Sequence, residues 1–287
     1  MVSKLLGRGV LAGAAAGLLA YVFARIFAEP YIQRAIDYES GRDAAQAALD
    51  RAAGLPVDAA DPDLFSRTVQ QNIGLGVGMI AFGAAMGALF AVAYTICLGR
   101  VGRVRPRQLA LLLTGGAFLA LYLVPFIKYP ANPPSIGHQE TIKARSGYYL
   151  IMVAASVVLL VLCVWFGRRL AEKYGNWTAS LIAGATFVVT VGVVMAVLPQ
   201  LGHLPVNKRE YGLHSTETPQ PLTDGKGNIV YPGFPADVLF NFRFYSVAAQ
   251  VLLWGTIGVV FAPLADRLLS AYVAEVRTAD DTTPALV

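Results

Sequence analysis

Six stretches of the chain are apolar almost without interruption, and polar segments separate them. They run from Leu5 to Ala28, Ile73 to Leu98, Leu109 to Ile127, Tyr148 to Phe166, Ala179 to Leu198 and Phe244 to Leu264. A helix needs about 20 mostly apolar residues to cross the hydrocarbon core of a bilayer. The pattern therefore predicts an all-α integral membrane protein with six transmembrane helices. Residues 1–272 are expected to form this membrane domain, and the polar residues 273–287 a disordered cytoplasmic tail. The first stretch also has features of a signal peptide, with Lys4 and Arg8 ahead of it and Ile26-Phe27-Ala28 as a cleavage site. Its apolar part exceeds a signal core of about 7–15 residues, so a retained span is expected.

The polar segments alternate in character. Lys4, Arg8, Arg100, Arg103, Arg105, Arg107, Arg168, Arg169, Lys173, Arg267 and Arg277 fall at the termini and in two short links. Basic residues in short loops mark the cytoplasmic side. Both termini are thus expected in the cytoplasm, with three long extracytoplasmic loops opposite. In the first of these, Ile32 to Ala53 reads as an amphipathic helix followed by a Pro/Asp turn at Pro56 to Asp63. The third, Pro199 to Asn241, reads as an irregular or hairpin loop around Asp224-Gly225-Lys226-Gly227-Asn228. Gly9, Gly13 and Gly17 recur every four residues, as do Gly74/Gly78 and Gly83/Gly87. Such small-residue faces let helices approach closely, within the bundle or in a homo-oligomer.

Composition agrees with lipid as the solvent. Of 287 residues, 56% are hydrophobic and 14% charged, against roughly 25% charged in soluble domains. The net charge of +5 reflects the cytoplasmic bias, and no nucleic-acid-binding module is recognisable. Cys97 and Cys163 lie within apolar runs and are expected to be buried thiols, with no zinc spacing. Asn176-Trp177-Thr178 falls in a cytoplasmic link and carries no glycosylation reading.

The chemistry is sparse. No Asp or Glu sits mid-span, which weakens a proton-driven pump. There is no P-loop and no hydrolase motif, so the chain is not expected to be an enzyme. Polar residues concentrate at the outer span ends. In Pro125-Phe-Ile-Lys128-Tyr-Pro130-Ala-Asn132-Pro133-Pro134-Ser-Ile-Gly137-His138 the prolines preclude a continuous helix. Irregular backbone near membrane depth is tolerated where it is buried in protein or lines a watery cavity. Its carbonyls, Asn132 and His138 are candidate ligands, with a rigid connector and a snorkelling Lys128 as the alternative. A second segment holds Arg243, Gln250 and Trp254 near one helix face. A third is Glu29, one turn above Arg25 and able to pair with it. All three histidines, His138, His203 and His214, lie in outer loops. Imidazole with oxygen ligands suits borderline divalent metals.

The run Lys128-Tyr-Pro-Ala-Asn-Pro-Pro-Ser-Ile-Gly137 resembles the signature of the CbtA family, the predicted cobalt transporter subunit. Glu29-Pro30 after a Gly/Ala-rich first span, and Phe234-Pro-Ala followed by Phe242-Arg243, Gln250 and Trp254, are similar to it too. The resemblance covers nearly the whole chain. It implies a multi-pass protein of a bacterial cytoplasmic membrane, working with a small one-span, histidine-rich CbtB-like partner. Two departures stand out. His138 stands where an acidic residue is more usual, and the loop Lys208 to Tyr231 is long and carries His214.

The resulting expectation is a membrane subunit of a divalent-metal uptake system. Cobalt is its substrate, and no cofactor is permanently bound. The tentative metal ligands are Glu29, Asn132, His138, His203 and His214. Arg25, Lys128, Pro130, Pro133, Pro134, Arg243, Gln250 and Trp254 are the structural or pathway residues. Two other classes compete: a non-transporting scaffold, and a membrane enzyme whose Arg67, Arg145 and Arg243 grip the phosphate of lipid-linked substrates.

Overall fold

The computed structural model describes residues 1–57, 65–102, 104–134, 136–137, 139–212 and 217–281. Arg103, His138, His214 and most of the Pro56–Asp63 turn lie outside the described residues. The chain is almost wholly helical: α1 (Val2–Phe27), α2 (Glu29–Ala52), α3 (Arg67–Val69), α4 (Leu75–Cys97), α5 (Pro106–Ala117), α6 (Val124–Lys128), α7 (Ile142–Val197), α8 (Pro205–Tyr211) and α9 (Ala236–Asp281). Between α8 and α9 lies a short hairpin of β1 (Leu222–Thr223) and β2 (Ile229–Tyr231). π-Helical turns, Gln70–Gly74 and Phe118–Leu123, join α3 to α4 and α5 to α6. Among the described residues, five helices are long and apolar enough to cross a membrane: α1, Arg67–Cys97, Pro106–Lys128, α7 with the turn that follows it, and α9 up to Tyr272.

Two apolar runs, 148–166 and 179–198, share one helix. α7 has 56 residues, and Gly175 is the residue inside it with non-helical angles (φ 75°, ψ 163°). The expected basic link is therefore helical. Its residues, Arg168-Arg-Leu-Ala-Glu-Lys-Tyr174, are mostly good helix formers, so the backbone stays helical until Gly175. Those angles are readily available to glycine alone. The two arms then fold back on each other. Gly167 lies against Ala183, and Cys163 shares a buried cluster with Phe187. At the other end of the chain, α9 continues to Asp281, past the start of the expected tail, and residues 282–287 lie outside the described residues.

The chain divides into two compact units. Unit 1 comprises Met1–Arg25, Phe65–Phe118 and Ala248–Val287. Its seam is the antiparallel contact of α1 with α4. A methyl group built on Gly9 would strike the Gly87 carbonyl, and one on Gly13 the Gly83 carbonyl. The reverse also holds, and Gly17 is seated on the Met79 carbonyl. The Gly9/Gly13/Gly17 face and the Gly83/Gly87 face thus occupy each other, whereas Gly78 has nothing within 4 Å of its would-be Cβ. Tyr94, fully buried, packs edge-on against Phe261 and donates to the Pro106 carbonyl at 3.2 Å. Arg8 donates to the Leu264 carbonyl at 2.6 Å, and Arg107 pairs with Asp266 at 2.7 Å. The start of α1, the α4–α5 link and the later part of α9 therefore meet at one end of unit 1.

Unit 2 comprises Ile26–Leu64 and Leu119–Val247. Val124, Tyr129, Met152, Cys163, Phe187 and Val191 form one buried cluster, and Ala35, Tyr38, Ile136 and Val238 another. In the second, Tyr38 donates to the Pro232 carbonyl at 2.9 Å and packs on Tyr231 and Phe234. This docks α2, the expected loop helix, against the hairpin. Burial pushes the Tyr38 phenol up from its ordinary pKa, against the opposing pull of Arg42. The hairpin turn is closed by Asp224, whose Oδ1 accepts the amides of Lys226 and Asn228, both at 2.8 Å. Gly227 supplies the positive φ of 87° that this turn requires. Cys97 and Cys163 are both free thiols, Cys163 buried.

Candidate functional site

The proline-rich segment begins at a specific backbone defect. Pro125 has no N–H, so the carbonyl it would have bonded is left open. In the π-helical turn before it, that carbonyl belongs to Ala120, five residues back. The hydroxyl of fully buried Ser156, on α7, donates to the Ala120 oxygen. The helix ends at Lys128. Beyond it the chain is non-helical, with Pro130 half-buried, Pro133 buried and Pro134 exposed.

This segment forms one wall of a cavity of about 1010 Å³, lined wholly by residues of unit 2. Its polar lining holds Lys128, Asn132, Arg145, Ser146, Gln200, Glu217 and Arg243. Arg243, from α9, donates to the Ala131 carbonyl at 3.0 Å and to Asn132 Oδ1 at 2.9 Å. Asn132 in turn donates to the Glu217 carbonyl at 3.4 Å. Lys128 places its ammonium 5.6 Å from the centre of the Tyr129 ring. The Tyr129 hydroxyl donates to the Pro199 carbonyl at 2.9 Å, and burial pushes its pKa up.

Behind this wall sits a buried carboxylate. The Glu217 side chain is 1% exposed, and its Oε2 lies 3.0 Å from Arg145 Nη1. The pair is an ion pair by distance, although among the described residues no hydrogen bond reaches Oε2 in this geometry. Asn207 donates to Glu217 Oε1 at 2.5 Å and to the Leu201 carbonyl at 2.8 Å. Its own Oδ1 is buried without a partner among the described residues. Gly137 (φ 122°) covers the ion pair, since a Cβ there would lie 2.8 Å from Arg145 Nη1. The conspicuous motif residues thus lock an ionic cluster that two inconspicuous residues, Glu217 and Asn207, complete.

The expected site residues do not all converge. Lys128, Pro130, Asn132, Arg145 and Arg243 line the cavity. Glu29 is buried at the first turn of α2, with Pro30 behind it, where a carboxylate complements the helix dipole. His203 is exposed in a short 3-10 turn, and His138 and His214 lie outside the described residues. Arg25 belongs to unit 1 and donates to Asn72 Oδ1 at 3.0 Å. Gln250 and buried Trp254 also fall in unit 1. Arg67 falls in unit 1 as well, so the three arginines expected to grip phosphate do not belong to one unit.

Chemically, the cavity is not a bare cation site. Lys128, Arg145 and Arg243 stand against one lining carboxylate, Glu217. The Asn132 oxygen that a metal would use faces the Arg243 guanidinium instead. Among the described residues, no three His, Cys, Asp or Glu side chains come together as a metal-ligand set.

Comparison with known proteins bears on the whole chain. A family model described as "Probable cobalt transporter subunit (CbtA)" matches residues 2–266. No curated protein and no solved structure matches. With nearly its full length matched, and with apolar helices able to cross a bilayer several times, the chain belongs to the CbtA family of multi-pass cobalt transporter subunits.

Proposed function

We propose that this chain is the membrane-spanning subunit of a cobalt uptake system in a bacterial cytoplasmic membrane. The observation that carries the reading is the family match over residues 2–266. The chain crosses the bilayer six times, with the two arms of α7 on either side of Gly175 as the fourth and fifth spans. At about 1.5 Å per residue, the two arms of this 56-residue helix sum to a path of about 84 Å, enough for two passes of a hydrocarbon core of about 30 Å. The basic end of unit 1, with Arg8 and Arg107, faces the cytoplasm. The proline-rich segment and the hairpin loop face outward.

Cobalt is the cargo. A hydrated divalent ion must exchange water for oxygen or nitrogen ligands as it passes. In this reading Glu29, a buried carboxylate, and the outer histidines His138, His203 and His214 contribute ligands. A one-span, histidine-rich partner supplies the rest. Asn132 becomes a positioning residue, because its oxygen is committed to Arg243. Radiolabelled cobalt uptake tests the reading in cells lacking other importers, with the partner co-expressed. Wild type restores uptake, and Glu29→Gln lowers it about tenfold while membrane levels of protein stay equal. Cobalt uptake unaltered by deletion of the chain sinks the proposal.

A further inference from the structure

The cavity of unit 2 holds more positive charge than its own contacts neutralise. Arg145 is matched by Glu217. Lys128 and Arg243 have no carboxylate partner among the described residues. Lys128 packs over the Tyr129 ring, and Arg243 donates to two neutral oxygens. Partly desolvated cations of this kind attract phosphate or carboxylate. The same walls carry Ile127, Ile142 and Leu150, whose exposures are 63%, 48% and 65%. In a membrane chain such apolar exposure meets acyl chains, so the cavity leads onto lipid-facing surface.

Size narrows the occupant. At about 30 Å³ per water, inorganic phosphate with the bulk of about three waters takes roughly 90 Å³. A divalent ion with six waters takes roughly 180 Å³ and meets a positive field. Either leaves most of about 1010 Å³ unfilled. A headgroup with its glycerol and first acyl carbons fills more of it, and its apolar end finds apolar walls.

We propose that this cavity is a lateral binding site for an anionic phospholipid. The phosphate sits between Lys128 and Arg243, and the acyl chains leave along Ile127 and Leu150. This goes beyond the transport reading and does not depend on it. The test uses the purified full chain in neutral detergent. Its thermal unfolding midpoint is titrated with phosphatidylglycerol, phosphatidylcholine, sodium phosphate or cobalt chloride, and bound lipid is counted by native mass spectrometry. Phosphatidylglycerol is expected to raise the midpoint by several degrees and to be retained. Phosphatidylcholine, phosphate and cobalt leave it unchanged. Lys128→Gln weakens phosphatidylglycerol binding about fivefold, as for loss of one cation near the headgroup, with an unchanged lipid-free midpoint. Arg243→Gln also loses two bonds to the proline-rich segment, so Lys128→Gln carries the test and Arg243→Gln is scored by lipid retention alone. Equal shifts with both lipids, an equal shift with phosphate alone, a shift with cobalt alone, or no effect of Lys128→Gln on phosphatidylglycerol overturns the proposal. Cobalt uptake plays no part in these measurements, so either proposal can fail while the other stands.

Discussion

The α1–α4 seam of unit 1 and the cavity wall of unit 2 solve the same problem, close packing in lipid, with opposite materials. The seam removes side chains. Gly9, Gly13 and Gly17 bring backbone against the carbonyls of α4. The wall adds polar side chains and then satisfies them across long sequence distances, as Arg243 does with Asn132 and Arg145 with Glu217. Without a hydrophobic drive between helices in lipid, contact distance and hydrogen bonding are what remain. The seam is rigid because nothing in it can move aside. The wall is fixed only while the Arg145–Glu217 pair and the bonds of Arg243 are kept.

The largest expected effect breaks the seam. In Gly13→Ala the new methyl strikes the Gly83 carbonyl, and backbone cannot rotate away as a side chain can. The helices must part, at a cost of about 3 kcal/mol. Gly78 shares the small-residue spacing but has nothing within 4 Å of its would-be Cβ. Gly78→Ala should be neutral or stabilising by up to about 1 kcal/mol. Thermal unfolding in detergent compares the two directly. Equal behaviour of the two variants would show that the spacing, not the contact, carries the effect.

The next effect sharpens the other side of the comparison. Glu217→Ala strands Arg145 and removes an acceptor of Asn207, and breaking a buried pair costs about 3 kcal/mol. Exposure of Arg145 at 29% lets water recover part of that, so a smaller loss than at Gly13 is expected. The exposed pair Arg34–Asp237, at 2.9 Å with both side chains more than half exposed, is the internal control. Asp237→Asn should leave the unfolding midpoint almost unchanged. If both acidic substitutions destabilise alike, burial is not what distinguishes the cavity wall.

Legibility from sequence follows the same division. Hydropathy placed α1 at 5–28 where it runs Val2–Phe27, and the third span at 109–127 where the helix runs Pro106–Lys128. The glycine seam was legible because helical spacing alone puts Gly9, Gly13 and Gly17 on one face. The helical link in α7 was not, since a charged stretch looks alike as exposed helix and as loop. At the site, Asn132, Lys128 and Arg243 stood out by residue type. The bond between Asn132 and Arg243 spans 111 residues, which no local period encodes. Asn207, on the short α8, and Glu217 lie in an aperiodic polar stretch between apolar runs, so only their burial reveals them. The ligand reading of Asn132 turned on which cation faces its oxygen, and that is a tertiary fact.

The smallest effect lies at the open carbonyl of Ala120, just ahead of the proline-rich wall. Ser156→Ala withdraws the hydroxyl that serves it and leaves a buried acceptor unsatisfied. Hydrogen bonds within membranes average only about 0.6 kcal/mol, and an unsatisfied buried acceptor costs up to about 2 kcal/mol, so a loss between these values is expected. Pro125 stands five residues on, where π-helical spacing would place the amide that bonds this carbonyl, so the cause can be tested there. Pro125→Ala restores an N–H within reach of that carbonyl and costs something for the lost packing of a fully buried ring. In that background Ser156→Ala should cost less than it does alone, a coupling that a double-mutant cycle of unfolding midpoints reads directly. Strict additivity would mean that Ser156 serves the packing of α7, with no part in compensating the proline that opens the signature segment.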